Sequence, residues 1–159
     1  QTITAAMDGW YKNRGVEVVF ACGGGIWTSA CEAAAKVNGK VIGVDVDQTA
    51  LINGYGVGMH VTSAMKGLSA TVNAALEAII GGKWADYSGK VSSLGLVSGK
   101  DLSVNYVGLP TDTWVMKQFS IDDYKKLVAD VYAKKIVISN AIDKNPAVSV
   151  KVNYYQNIK

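Results

Sequence analysis

The stretch VVFACGGGIWTSACEAAAKVNGKVIGVDVDQ, residues 18–48, decides the fold of this chain. An apolar, β-branched and aromatic run at 16–20 has the composition of a strand that is buried on both faces. Three consecutive glycines at 23–25 end that run, and a second apolar run at 41–44 follows one predicted helix later. Two apolar strands joined by a helix predict a parallel βαβ unit. The predicted fold class is therefore α/β, with a parallel sheet flanked by helices.

The helix between these strands has its own start and stop signals. Ser29 and Glu32 have the spacing of a capping box, which predicts a helix that begins near residue 28 or 29. Asn38 and Gly39 are typical of a helix end. Asp45 and Asp47 follow the second strand at its carboxyl end, where open parallel sheets bind their ligands.

Helical periodicity predicts three further helices. The first covers residues 1–14, and the second covers residues 68–80 with Gly81-Gly82 as its end. The third begins at a capping box formed by Ser120 and Asp123. We expect the second helix to face inward with Leu68, Val72, Ala75, Leu76 and Ile79. For the third, the expected buried stripe is Ile121, Tyr124, Leu127, Val128, Val131 and Tyr132, with Asp122 and Lys126 as an ion pair.

The rest of the chain reads as short strands and loops. Residues 51–58 carry three glycines and predict a loop, and residues 59–62 predict a third short strand. Runs at 90–96 and 102–107 predict two strands around a turn at 98–101, followed by a loop at 108–112. A tail with β-like runs at 136–138 and 148–152 completes the chain.

Composition narrows the possible functions. A chain of 159 residues suits one domain, and 18% charged residues is ordinary globular composition. The net charge is +3 and the basic residues are scattered, so we expect no nucleic-acid partner. No apolar run approaches the roughly 20 residues of a membrane span.

The two cysteines, Cys22 and Cys31, predict a pair of buried thiols, with a disulfide left open. Their spacing and the single histidine argue against a zinc site. His60 is that histidine, and a structural role with its hydrogen bonds satisfied is the favoured interpretation. Ser63 and Lys66 match a local S-x-x-K pattern, but the companion elements of serine β-lactamases are missing, so we predict no acylation there.

The glycine turn, Gly23, Gly24 and Gly25, has three possible roles. It can cradle a phosphate at a helix N-terminus, form a structural tight turn, or let a neutral ligand approach the backbone. The spacing is neither G-x-G-x-x-G nor that of a P-loop. Trp27, just beyond the glycines, can offer a flat face to a base or sugar or belong to the core.

Asp45 and Asp47 lie two residues apart, hence on one face of an extended segment. A carboxylate at the end of a strand is suited to accepting hydrogen bonds from sugar hydroxyls. A pair of glycosidase carboxylates would need a second supporting site that the sequence does not indicate.

Four segments together carry a family resemblance: GGGIWTSACEAAA at 23–35, VIGVDVDQ at 41–48, VTSAMK at 61–66 and YVGLPTDTW at 106–114. In order and spacing they resemble the basic membrane protein family of solute-binding lipoproteins, which includes purine nucleoside receptors of ABC importers. The resemblance implies a type I periplasmic-binding-protein fold, with two α/β lobes closing on a nucleoside. Residues 1–159 would be the second lobe plus a C-terminal segment that recrosses the hinge, with the first lobe absent from this chain.

The resemblance also implies roles for individual residues. Asp45 falls on the aspartate of the family's GVD motif and would hold ribose hydroxyls. Lys66 falls on the lysine that closes the TSxxK motif and would reach the polar edge of the ligand. Backbone amides of Gly23, Gly24 and Gly25 would meet the ligand, Trp27 would stack on it, and Asp47 would be structural or support the hinge.

The resulting prediction is a binding protein without catalysis, cofactor or metal. Its partners would be a nucleoside, an ABC permease and the first lobe, and it would be extracytoplasmic and lipid-anchored through a segment absent here. Two alternatives stay open. One is a domain that senses a sugar or nucleoside in signalling, and the other is an α/β enzyme acting on a nucleotide or sugar.

Overall fold

A computed structural model describes residues 2–139, 141, 143 and 147–155 of the chain. The helices are α1 (Thr2–Arg14), α2 (Trp27–Ala34), α3 (Thr49–Asn53), α4 (Leu68–Ile80) and α5 (Ile121–Tyr132). The strands are β1 (Val18–Phe20), β2 (Lys40–Asp45), β3 (His60–Lys66) and β4 (Val107–Gly108). They form one sheet in the order β1-β2-β3-β4, in which β4 alone among the described strands runs antiparallel to its neighbour. The prediction of an α/β fold with a mostly parallel sheet is confirmed.

The predicted βαβ unit is present, but its helix begins earlier than the sequence indicates. A 3₁₀ turn at Gly24–Ile26 runs directly into α2, which starts at Trp27. The capping box predicted for Ser29 and Glu32 is wrong, because Ser29 already lies inside the first turn. Glu32 instead accepts a hydrogen bond of 2.9 Å from the Thr4 hydroxyl of α1.

The hydrophobic core lies on one face of the sheet, between the strands and helices α1, α2 and α3. It is built from Met7, Tyr11, Val19, Ala21, Ala30, Cys31, Ala33, Ala34, Val41, Ile52 and Met59. Strand β1 buries Val19 on this side, whereas Val18 and Phe20 are 41% and 49% exposed. The prediction that β1 is buried on both faces is therefore wrong. Helix α5 lies over the other face of the sheet, and a groove remains between the two.

Helix α1, predicted for residues 1–14, is confirmed over Thr2–Arg14, and polar contacts fasten it to the core. The Tyr11 hydroxyl donates a 2.7 Å hydrogen bond to the carbonyl oxygen of Lys40 at the start of β2. Burial raises the pKa of Tyr11 to about 12, so the phenol stays protonated. Lys36, just beyond α2, donates to Asp8 at 2.7 Å, and this hydrogen bond lowers the pKa of Asp8.

Helix α4 has the predicted bounds and ends at Gly81, but its apolar stripe does not face inward as predicted. Leu68, Val72, Leu76 and Ile79 are all at least half exposed, and Ala78 is the buried residue of this helix. The periodicity correctly predicted a helix. It does not specify the neighbouring residues, and these decide whether the apolar stripe is covered. Among the described residues, no helix is long and apolar enough to cross a membrane.

The second half of the chain contains fewer strands than predicted. Within the described ranges, residues 90–96, 136–138 and 148–152 belong to no strand, and residues 51–53 complete α3 rather than a loop. The run at 102–107 forms a 3₁₀ turn, Leu102–Val104, and only its last residue enters β4. The Asn105 side chain replaces a strand ladder, because its carbonyl oxygen accepts from the amides of Val97 and Ser98 at 2.7 and 2.9 Å.

One prediction in this half is confirmed and two are corrected, and a strand of the first half is longer than predicted. The capping box of α5 is present, with Ser120 and Asp123 exchanging hydrogen bonds. The stripe of α5 is buried at Tyr124 and Val128 but exposed at Leu127 and Tyr132. Lys126 pairs with Asp130 at 2.7 Å rather than with Asp122. The 59–62 strand extends to Lys66, which places that lysine at the end of β3.

Gly67 joins β3 to α4 at a point of very close backbone approach. A Cβ atom at this position would lie 2.3 Å from the carbonyl oxygen of Asn105 and 2.8 Å from Cα of Tyr106. The Gly67 amide donates to the carbonyl oxygen of Tyr106 at 2.8 Å. Because the obstructing atoms belong to backbone, they cannot move aside as a flexible side chain could.

We expect Gly67→Ala to lower the free energy of unfolding by at least about 2 kcal/mol, because the methyl group must displace the 105–106 backbone. Urea denaturation followed by circular dichroism measures this change. Gly95→Ala is the matched control, since a Cβ at Gly95 meets nothing within 4 Å. Equal stability of the two variants would contradict the close approach at Gly67.

Candidate functional site

The carboxyl ends of the parallel strands bring two predicted site residues into contact. Asp45 ends β2 and is paired in register with Met65 of β3, so Lys66 follows immediately beside it. The Lys66 ammonium nitrogen lies 2.6 Å from Oδ1 of Asp45. A hydrogen bond from Lys66 to the Asp45 carboxylate, and then the negative charge itself, raise the pKa of Lys66. Both side chains remain substantially exposed, at 64% and 42%, so water screens this ion pair.

The backbone turns sharply at Asp45, which has a φ of +68°. The left-handed conformation directs Asp45 and Asp47 to different partners, so the prediction that they share one face of an extended segment is wrong. Asp47 accepts hydrogen bonds from the amide and hydroxyl of Thr49 and, at 2.8 Å, from the hydroxyl of Thr113. These hydrogen bonds hold the pKa of Asp47 below its ordinary value in spite of partial burial.

A groove of about 550 Å³ opens beside the ion pair, between the sheet and α5. Gly23 and Gly24 form part of its rim, together with Asp45 and Lys66. Its walls are apolar, and they include Phe20, Val44, Leu96, Leu127 and Val131. Gly25 lies in the 3₁₀ turn that follows, where its carbonyl oxygen accepts from the Thr28 hydroxyl at 2.9 Å. Four of the six predicted site residues thus share one groove.

A second hollow, of about 400 Å³, continues from the groove along the carboxyl edge of the sheet. Lys66, Gly108 and Tyr124 line both spaces, and the loop at 109–112 forms the far wall of the second. The Tyr124 hydroxyl accepts a 2.9 Å hydrogen bond from the Leu109 amide, which ties this loop to α5. Sequence reasoning assigned Tyr124 to the core stripe of α5 and missed its place beside the site.

Trp27 lies on the opposite side of the sheet from this groove. Its ring meets Tyr55 edge to face, with centroids 6.2 Å apart, and it packs against the hydrophobic core. Stacking of Trp27 on a ligand stays a prediction. Phe20 and Tyr124 are the aromatic side chains that line the groove itself.

His60 is buried in a chain of polar contacts. Its Nδ1 lies 3.0 Å from the Thr49 hydroxyl and its Nε2 lies 2.9 Å from the Ser63 hydroxyl. The Ser63 hydroxyl also accepts from the Gln48 amide at 3.1 Å. His60 is 2% exposed and Ser63 is fully buried, so this serine and histidine are shielded from the groove. The arrangement agrees with a structural histidine.

The cysteines, both within the described part of the chain, are free thiols. Cys31 is buried as predicted, and burial raises its pKa to about 11. Cys22 is exposed and lines the groove, so the prediction of two buried thiols is wrong for this residue. Its position follows the alternation of β1, because Phe20 and Cys22 line the groove whereas Val19 and Ala21 belong to the core. In the described ranges, no group of three or more potential metal ligands comes together.

Comparisons with known proteins provide no assignment. No protein-family model matches the chain, and neither the curated proteins nor the solved structures contain a match.

The buried histidine makes stability depend on pH in a defined direction. Burial lowers the pKa of His60 below its ordinary value of 6.5. Near and below pH 6.5 the unfolded chain therefore binds a proton that the folded chain excludes. Stability is full above pH 6.5 and falls as the pH decreases toward the folded-state pKa, with a slope of at most about 1.4 kcal/mol per pH unit. Protonation of Asp47 changes the stability only near and below its ordinary pKa of 3.8, which lies outside this pH range.

We expect urea midpoints of the wild type to fall between pH 7.5 and pH 5.5, and those of His60→Gln to stay nearly constant over the same range. The variant will be less stable at every pH because it disturbs the buried contacts. The difference in pH slope, rather than the difference in stability, isolates the histidine. Parallel pH profiles for the two proteins would refute a lowered pKa at His60.

Proposed function

We propose that this chain is the second lobe of an extracytoplasmic solute-binding protein that binds a nucleoside. A purine nucleoside is the proposed ligand. The observation that carries the proposal is the meeting of Gly23, Gly24, Asp45 and Lys66 on the rim of one groove. These residues come from three separate segments of the sequence, all of which belong to the motifs that resemble the basic membrane protein family. The contacts between them are consistent with roles that the family resemblance implies.

The groove has the chemistry that a nucleoside requires. The Asp45 carboxylate can accept hydrogen bonds from two ribose hydroxyls, and Lys66 can donate to a ring nitrogen or carbonyl oxygen of the base. Backbone at Gly23 and Gly24 carries no side chain, so a ligand can approach it closely. The apolar walls can cover the faces of the base. Each charge-assisted hydrogen bond in such a site contributes about 1.5–3 kcal/mol.

Exposed apolar surface supports the proposal that a first lobe completes the site. The stripe of α4 and the β1 residues Val18 and Phe20 are largely exposed, although parallel sheets are normally covered on both faces. In a two-lobe protein, closure about hinge segments would cover the groove and bury the ligand. The loop at 109–113, which follows the antiparallel β4, is the proposed start of the recrossing segment.

The position of the one histidine disfavours catalysis that uses it as the general base. An enzyme acting on a nucleoside needs a general base within reach of its substrate. His60 is enclosed behind the sheet and engaged in hydrogen bonds on both ring nitrogens. Delivery to an ABC permease and lipid anchoring outside the cytoplasm complete the proposal.

The expected affinity of one lobe determines the method of the test. A complete two-lobe site with a Kd of about 1 µM has a binding free energy of about −8.2 kcal/mol. If one lobe contributes half of that free energy, its own Kd is about 1 mM. Nuclear magnetic resonance detects binding of this strength. We expect millimolar inosine, guanosine or adenosine to shift the amide resonances of Gly23, Gly24, Asp45 and Lys66 in the ¹⁵N-labelled chain. No shift with any nucleoside, or shifts confined to other surfaces, would contradict the proposal.

Substitutions at the ion pair test the assignment of individual residues. Asp45→Asn suits the left-handed backbone at this position, since asparagine tolerates positive φ. We expect Asp45→Asn and Lys66→Gln each to weaken binding at least about tenfold while the chain stays folded, because one charge-assisted hydrogen bond is lost.

Asp122→Asn and Lys125→Gln are the matched controls. They neutralise the same residue types in an exposed pair on α5, 3.6 Å apart, neither member of which lines the groove. If the α5 variants weaken binding as much as the rim variants, the shifts report nonspecific charge effects, and the assignment of Asp45 and Lys66 is refuted.

A further inference from the structure

A continuous hydrogen-bond chain leads from the interior of the sheet to the loop beside the candidate site. It runs from the backbone amide of Gln48 through the side chains of Ser63, His60 and Thr49 to the Asp47 carboxylate. The other oxygen of Asp47 accepts from the Thr113 hydroxyl at 2.8 Å. Thr113 directly follows residues 109–112, which line the second hollow. The carboxylate of Asp47 thus connects the buried part of the sheet to the loop that lines the second hollow.

The donors along this chain can be assigned from chemistry alone. A carboxylate only accepts, so the Thr49 hydroxyl proton points to Asp47. The Thr49 oxygen must then accept its contact with His60, which makes Nδ1 the protonated ring nitrogen. A neutral imidazole carries one proton, so Nε2 accepts from the Ser63 hydroxyl. The Ser63 oxygen in turn accepts from the Gln48 amide, and every donor in the chain points toward Asp47.

We propose that His60 is a positioning residue, held as its neutral Nδ1–H tautomer, which orients Thr49 so that Asp47 retains Thr113 and the adjacent loop. Protonation of His60 would make Nε2 a donor, and Ser63 would then lose its acceptor and have to turn its own proton elsewhere. On the Nδ1 side no hydrogen bond reverses, but a charged ring donates more strongly to the Thr49 oxygen, and the change reaches Asp47 through the Thr49 hydroxyl. The effect on ligand binding rests on the proposed function, whereas the chain itself exists without ligand.

The surroundings of His60 leave Asp47 as the charge that acts on it. From α3, Thr49 contacts the ring, and the side-chain oxygen Oδ1 of Asn53 accepts from the backbone amide of His60 at 3.0 Å. From the sheet, Val41 of β2 is its register partner and Ser63 contacts Nε2. Burial lowers the pKa of the histidine and is the largest effect, whereas the charge of Asp47 and a backbone hydrogen bond with Thr62 raise it. The ring is therefore neutral at pH 7.5, as the donor assignment requires.

The tautomer can be measured directly in the ligand-free protein. The chain has a single histidine, so long-range ¹H–¹⁵N spectra of the labelled protein at pH 7.5 give one unambiguous ring pattern. We expect a protonated Nδ1 and an unprotonated Nε2. A protonated Nε2, or the tautomer mixture of a free imidazole, would overturn the proposal whatever the ligand turns out to be.

A pH titration then tests whether the chain transmits the state of the ring. We expect the Thr113 methyl resonance to shift with the same midpoint as the His60 ring. In Thr49→Val the ring should still titrate while the response of Thr113 is lost, and Thr49→Ser, which retains the hydroxyl, should restore it. Two results would overturn the proposal. One is a Thr113 resonance that does not shift with the His60 titration in the wild type, and the other is one that still shifts with it in Thr49→Val.

Thr71→Val is the matched control for this experiment. It removes a threonine hydroxyl that donates to the Gly67 carbonyl oxygen at 2.9 Å, outside the chain. The Thr113 response should persist in this variant. If Thr49→Val does not fold, the tautomer measurement on the wild type and the Thr49→Ser titration still decide the proposal.

Discussion

The parallel pairing of β2 with β3 is the constraint on which the rest of the structure depends. It places Asp45 beside the end of β3, and the Lys66 side chain reaches it at 2.6 Å. On the core side of the same two strands, Gly43 lies opposite Ser63, where a Cβ would come within 2.5 Å of the serine oxygen. A glycine in β2 is thus what allows the buried polar chain to pack against the sheet. One strand pair organises both the exposed rim of the groove and the hydrogen bonds behind it.

The two polar features of this strand pair differ in physical character. The Asp45–Lys66 pair is exposed, so water screens it and either side chain can exchange its partner for a ligand at little cost. The His60 chain is buried, and a donor or acceptor left without a partner there would be expensive, so its members are held in one arrangement. The first is suited to recognition and the second to positioning. Asp47 belongs to the buried chain by its contact with Thr49 and to the surface by its contact with Thr113.

The two faces of the sheet are also unequal. Helices α1, α2 and α3 close one face over a core of small and aliphatic residues. The other face retains the groove, with α5 as its far wall and Phe20 exposed on its near wall. The aliphatic stripe of α4 is also about half exposed. Such a surface is unfavourable in water, and it is the physical reason for proposing a second lobe over the groove.

Local patterns were sufficient for much of the fold. The apolar runs of β1 and β2, the periodicity of α4 and the capping box at Ser120 each act within a few residues, and each predicted an element that is present. Predictions failed where a distant partner decides the outcome. The apolar stripe of α4 is at least half exposed rather than inward, and Asp47 is held by Thr113, which lies 66 residues further along the chain.

The candidate site divides in the same way. The sequence by itself determined that Gly23, Gly24 and Asp45 follow or end strands of a parallel sheet, which implies a common edge. Only the tertiary structure decided that Asp45 and Lys66 form an ion pair, that Trp27 packs toward the core, and that Tyr124 reaches the site. It also decided that Asp47 turns away from Asp45. The reason is that strand alternation is local, whereas a backbone turn and the packing of α5 depend on residues far apart in the chain.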